Sequence, residues 1–164
     1  MTVLMPDTLT SAPAPLTPPA QPGAPGSLQH QAYLALQRLA LRQQHEGAEL
    51  FREYGLSAPQ FNVLRILRGA EDTGLTCSEI SDRLLVHDPD VTRLLDRLQK
   101  AGLVNRDRDR PDRRIVATRL TPAGHDLLTR IDRPLMHLHA QQFAHLSDAQ
   151  LQHLLTLLTP PEPT

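Results

Sequence analysis

The chain has 164 residues, 40% hydrophobic and 21% charged, with a net charge of −1, which is the profile of one soluble domain able to bury a real core. A single cysteine, Cys77, excludes an intrachain disulfide and a cysteine-rich zinc site and fits a reducing cytoplasm. No stretch reaches the roughly 18 apolar residues of a membrane helix, and the opening MTVLMPDTLT has neither a basic start nor a long apolar run, so no membrane partner and no signal peptide are expected.

Residues 1–26 hold seven of the fifteen prolines and no cation, and read as a disordered, Pro-rich tail. A long helix is expected from about Ser27 to Tyr54. Leu34, Leu41 and Ala48 share one seven-residue register, Leu28, Leu39, Leu50 and Phe51 widen the stripe, and Gly55 stops it. Three capping boxes then mark helix starts: Ser57 with Gln60, Thr76 with Glu79, and Ser147 with Gln150. Each is flanked by an apolar staple pair, Leu56 with Phe61, Leu75 with Ile80, and Leu146 with Leu151. A further helix opens at Thr121 with Pro122 in its first position.

Between these lies the segment LTCSEISDRLL, VHDPDVTRLLDRLQKAGLV, NRDRDRPDRRIVATRLT over residues 75–121. Its second helix is expected to start with Asp88 as cap and Pro89 in the first helical position. Val91, Leu94, Leu95 and Leu98 form one buried face, while Asp90, Arg93, Arg97 and Lys100 fall on the other. Gly102 ends it. Val104 and the run Ile115 to Thr118 are β-formers around a polar turn from Arg108 to Asp112. The expected fold class is mainly α with a small β-hairpin wing. It is a winged helix-turn-helix lobe over residues 56–121, flanked by helices over residues 27–55 and 122–159.

Net charge conceals a local excess. Residues 83–119 carry ten cations and six anions, a local +4 in a chain that is −1 overall. A helix with an exposed polar edge beside a basic hairpin has the shape of a reader of duplex DNA. The wing carries Arg106, Arg108, Arg110, Arg113 and Arg114, and arginine suits the enhanced negative potential of a narrow minor groove. Asp107, Asp109 and Asp112 sit among them, either as surface ion-pair partners or as groups that aim the arginines.

The arrangement L-T-x-x-E-I-x-x-x-L, then V-T-R-L-L-D-R-L-x-x-x-G-L-V, then D-R-R…R-L-T-P-A-G resembles the MarR family of bacterial transcription regulators, most closely from Leu56 to Leu128. The resemblance implies a cytoplasmic homodimer whose first and last helices make the dimer interface. It implies binding to a palindromic double-stranded DNA site, repression, and release by a small-molecule effector, often an aromatic or phenolic acid, or by oxidation. Carried onto this sequence, it places Asp88, Pro89, Asp90, Thr92 and Arg93 at the base- and phosphate-facing front of the reading helix, with Arg97 further along. It makes Asp112 and Arg114 the wing pair in which the arginine enters the minor groove, and sets Thr76 and Ser78 near phosphate. The family often has small neutral residues at the positions of Asp88 and Asp90. Asp90 therefore either accepts from a cytosine N4 or pairs with Arg93 or Arg97 and reads nothing.

Arg42, His45, Arg52 and Tyr54 on the first helix are candidate lining for an effector pocket, or else surface and dimer contacts. His137 and His139 are two apart and do not converge on one helix face, so no metal site and no cofactor are expected. Cys77 at a helix start admits a redox switch, although a small filler is the commoner role. No glycine-rich phosphate loop, G-x-S-x-G or H-E-x-x-H occurs, so no enzyme is expected. The alternatives are a redox- or metal-responsive regulator and a winged helix that binds protein.

Overall fold

The computed structural model describes residues 23–70, 73–84, 90–107 and 117–159. Among the described residues, six helices and two strands follow in the order α1 (Leu28–Glu53), α2 (Ala58–Gly69), α3 (Cys77–Arg83), α4 (Val91–Lys100), β1 (Val104–Asp107), β2 (Ala117–Leu120), α5 (Pro122–Gln142) and α6 (Asp148–Leu158). The fold is mainly α with one antiparallel hairpin, as the sequence pattern leads one to expect.

All three capping boxes form. In each, the side chain of Ser57, Thr76 or Ser147 accepts from the backbone N–H three residues on, and the Gln or Glu there returns to the cap's own N–H. Thr121 caps α5 by accepting from Gly124 N, with Pro122 supplying the fixed φ of the first turn. Gly55, at φ 73°, turns the chain out of α1 in a conformation that disfavours residues with a Cβ.

The described residues divide into two units at Ala40, and α1 contributes to both. In the first, Ser27 is buried and its hydroxyl accepts from His30 N at 3.3 Å, while Gln31 Nε2 donates to Gly26 O at 2.8 Å. Leu28, Tyr33 and Leu36 stand exposed there.

The second unit holds the core. Phe51 and Phe61 stack with ring centroids 4.0 Å apart, and Leu64, Leu67, Ile80, Leu95, Leu98, Val104, Leu128 and Ile131 close around them. Helices α2, α3, α4 and α5 and both strands thus share one apolar centre, which fixes α4 by its inner face. Leu75 pairs with Thr118 through two backbone hydrogen bonds, Leu75 N to Thr118 O at 3.0 Å and Thr118 N to Leu75 O at 2.7 Å, so the approach to α3 is stitched to the base of the wing. Arg68 makes a bidentate pair with Asp132, at 2.8 and 2.9 Å, which fastens the end of α2 to α5. Helix α6 buries no residue, and Leu155, Leu157 and Leu158 on it are exposed.

Candidate nucleic-acid interface

Helix α4 is amphipathic because its apolar residues recur at i, i+3, i+4 and i+7. Val91, Leu94, Leu95 and Leu98 are all buried. Thr92, Arg93, Asp96, Arg97, Gln99 and Lys100 are all exposed. Arg97 and Lys100 lie in the last turn, where cations complement the helix dipole. Cys77 Sγ lies 3.7 Å from Thr92 Oγ1, so the start of α3 abuts the first turn of α4, as in a helix-turn-helix.

The cap of α4 departs from expectation. Asp90, with φ −126° and ψ 40°, is the N-cap, and its Oδ1 accepts from Arg93 N at 3.4 Å. The helix therefore begins at Val91, two residues later than a cap at Asp88 with Pro89 in the first turn requires. Asp90 is as good a cap as Asp88 by residue type, and its oxygen stands over the N–H of Arg93. The other oxygen of Asp90 pairs with Arg93 Nε at 3.0 Å. The Arg93 side chain remains 77% exposed and faces outward.

Thr76 and Ser78 sit at the front of α3. Ser78 is exposed. Thr76 gives both its N–H and its hydroxyl to Glu79 Oε2, at 2.7 and 2.8 Å, so its polar groups are engaged in the capping box. Asp88 and Pro89, expected at the front of the reading helix, and Arg108, Arg110, Asp112, Arg113 and Arg114, expected on the wing, lie outside the described residues.

The hairpin pairs Val104 with Leu120, Asn105 with Arg119, Arg106 with Thr118 and Asp107 with Ala117. Arg106 does not behave as a free wing cation. Its Nη1 donates to Asp96 Oδ1 at 2.6 Å and its Nη2 to Thr92 O at 3.3 Å, and its side chain is only 22% exposed. Alternation along β1 carried this information. Arg106 is two residues beyond buried Val104 and so shares its inward face.

One of the four candidate pocket residues, His45, lines a groove on the described surface. An open groove of about 590 Å³ runs between the C-terminal half of α1 and α5, lined among others by His45, Glu46, Glu49, Glu53, His137 and Gln141. His45 belongs to it, and Arg42, Arg52 and Tyr54 do not. Arg52 pairs with Glu49, and Arg130 lies over the Tyr54 ring at 5.8 Å. No group of three or more His, Cys, Asp or Glu able to hold a metal ion occurs among the described residues. No described helix is long and apolar enough to cross a membrane.

Comparison with known proteins matches this architecture. The sequence profile of the MarR family covers residues 54–115, the stretch from just after α1 to just before β2. A MarR transcription factor from Planctomyces limnophilus is 39% identical in sequence. Its crystal structure superposes with a TM-score of 0.64 over 82% of this chain and 98% of that one. The chain belongs to the MarR family.

The structure of a mutant Escherichia coli MarR complexed with operator DNA aligns at 25% identity and a TM-score of 0.67, over 79% of this chain and 94% of that one. The HTH-type transcriptional regulator TtmR of Methylorubrum extorquens is 41% identical over 83 residues, 51% of this chain but only 42% of TtmR's own length. MarR-family membership makes this chain a DNA-binding regulator of transcription with a winged helix-turn-helix.

Proposed function

We propose that the protein is a cytoplasmic homodimer that represses transcription from a palindromic operator and is released by a small molecule. The observation that carries the DNA part is α4 itself. One face is fixed in the core, and the other presents Thr92, Arg93, Arg97 and Lys100 to solvent. A duplex needs such a helix in its major groove with cations toward the phosphates. The E. coli relative, solved on operator DNA, supports the same placement. Arg108, Arg110, Arg113 and Arg114 would extend contact to the minor groove, with Asp112 steadying Arg114, and Ser78 would face the backbone.

Dimerisation is supported by the exposed leucines of α6 and by the apolar residues exposed on α1. Two reading helices must stand about one helical turn apart, roughly 34 Å, to dock together. An effector that changes this spacing would release the DNA. Glu46, Glu49 and Glu53 line the α1–α5 groove, so that groove favours a neutral or cationic effector over an aromatic acid.

Salt tests the reading. Each phosphate neutralised by Arg or Lys contributes a slope of about −0.9 in log affinity against log salt. Wild-type protein should show a slope of several units on duplex DNA. Arg97→Ala should flatten it by about one for each reading helix engaged. An affinity that does not respond to salt would favour a winged helix that binds protein.

A further inference from the structure

Arg106 is engaged with α4. It projects from the third residue of β1 onto the same inward face as Val104, and its guanidinium takes hold of α4 at two points. One is the carboxylate of Asp96 at 2.6 Å, and the other is the backbone carbonyl of Thr92 at 3.3 Å. Those two residues are four apart, and the Thr92 carbonyl points along the helix toward Asp96, so the planar fork grips one backbone atom and one side-chain atom on the same face of α4. A single contact to a flexible side chain would let the hairpin pivot about the α4 axis, whereas a second contact to the rigid helix backbone resists that rotation. The covalent link cannot do the same work. It runs through Gly102, at φ 71°, and reaches only the near end of the strand. A half-exposed ion pair adds little to folding stability, so the value of this one lies in geometry.

We propose that Arg106 and Asp96 form a positioning clasp that holds the wing at a fixed angle to the reading helix, so that the two enter their grooves as one rigid unit. The clasp rests on the assignment of α4 as the reading helix. Neither residue needs to touch DNA. Binding of a wing and a helix that are already aligned avoids the ordering cost that two independently moving parts would carry.

Asp96→Ala gives a test whose sign is informative. The substitution removes a negative charge beside a DNA-binding surface and raises helix propensity, and both changes favour a folded protein that binds DNA more tightly. The clasp predicts the opposite, an affinity about tenfold weaker. The probe is the palindromic duplex recovered by wild-type protein from random-sequence DNA, measured well below the unfolding midpoint of every variant. Arg106→Ala should match Asp96→Ala, and the double variant should be no worse than either alone. Arg106→Lys should also fail, because lysine keeps the charge but lacks the two-point fork.

Equal or tighter binding by Asp96→Ala would overturn the clasp. So would full activity of Arg106→Lys, which would make Arg106 a phosphate contact, or additive losses in the double variant. A lowered unfolding midpoint with unchanged affinity of the folded protein would overturn it as well, by reducing the pair to a fold contact. Wild-type protein that recovers no duplex would instead overturn the DNA reading of α4, and the clasp with it.

Discussion

Gly124→Ala should destabilise the protein by about 3 kcal/mol and lower its unfolding midpoint by about 10 °C. Gly124 lies in the first turn of α5, and its N–H is held by Thr121 Oγ1 at 3.1 Å. A Cβ built there would stand 2.3 Å from Leu103 O and 3.1 Å from Leu120 Cδ2. The first of these is a backbone atom that already accepts from Thr121 N at 3.1 Å, so it has little room to move. Relief requires shifting either the entry to β1 or the start of α5, and both are anchored by buried Val104 and Leu128. Gly69→Ala is the control. Its Cβ meets nothing within 4 Å, and it occupies the last residue of α2, so the same substitution should be neutral or stabilise by up to about 1 kcal/mol. Thermal unfolding of both variants checks the pair. Equal midpoints would show that Leu103 yields more readily than its contacts imply.

Replacing Leu155 and Leu158 together by Asp should split the proposed dimer and weaken operator binding about 100-fold or more, with the DNA-binding lobe still folded. Leu155 and Leu158 are 64% and 52% exposed, and the apolar core lies elsewhere, so the substitutions remove no core packing within the protomer. Charged residues there would carry a heavy desolvation cost only if a second copy covers them. A dimer converts the second half-site contact into an intramolecular event, and a monomer loses that advantage. Light scattering should report half the wild-type mass, while affinity for a single half-site stays the same. A variant that remains dimeric would move the interface away from α6.

Local rules carried most of the fold. The capping boxes at Ser57, Thr76 and Ser147, and the Thr121–Pro122 start, are short-range chemistry and formed as written. The buried face of α4 was legible as well, because four apolar residues at helical spacing leave little choice. The cap expected at Asp88 forms instead at Asp90. Asp88 before Pro89 and Asp90 before Val91 are both acceptable starts by residue type, and the choice depends on how α4 seats Val91 in the core. Pro134 is another such case. A proline inside a helix costs about 3 kcal/mol or more in isolation, yet α5 continues through it, with Ile131 and Leu135 on either side buried in the same core.

The candidate site was legible in part. The outward residues of α4 follow from periodicity. The inward turn of Arg106 could have been read from strand alternation, but a run of arginines in one hairpin invites a single explanation for all of them. The Arg68–Asp132 pair had no such trace, since its members are 64 positions apart and neither belongs to a local pattern.

The central claim is that α4 reads a specific DNA sequence. The most direct test is a pull-down of sheared genomic DNA by purified protein, followed by sequencing, beside a variant carrying both Arg93→Ala and Arg97→Ala. Wild-type protein should enrich a palindrome with half-sites about one helical turn apart, and the variant should lose most or all of that enrichment. Enrichment of the same palindrome by both proteins, or of no sequence by folded, effector-free wild type, would contradict the claim.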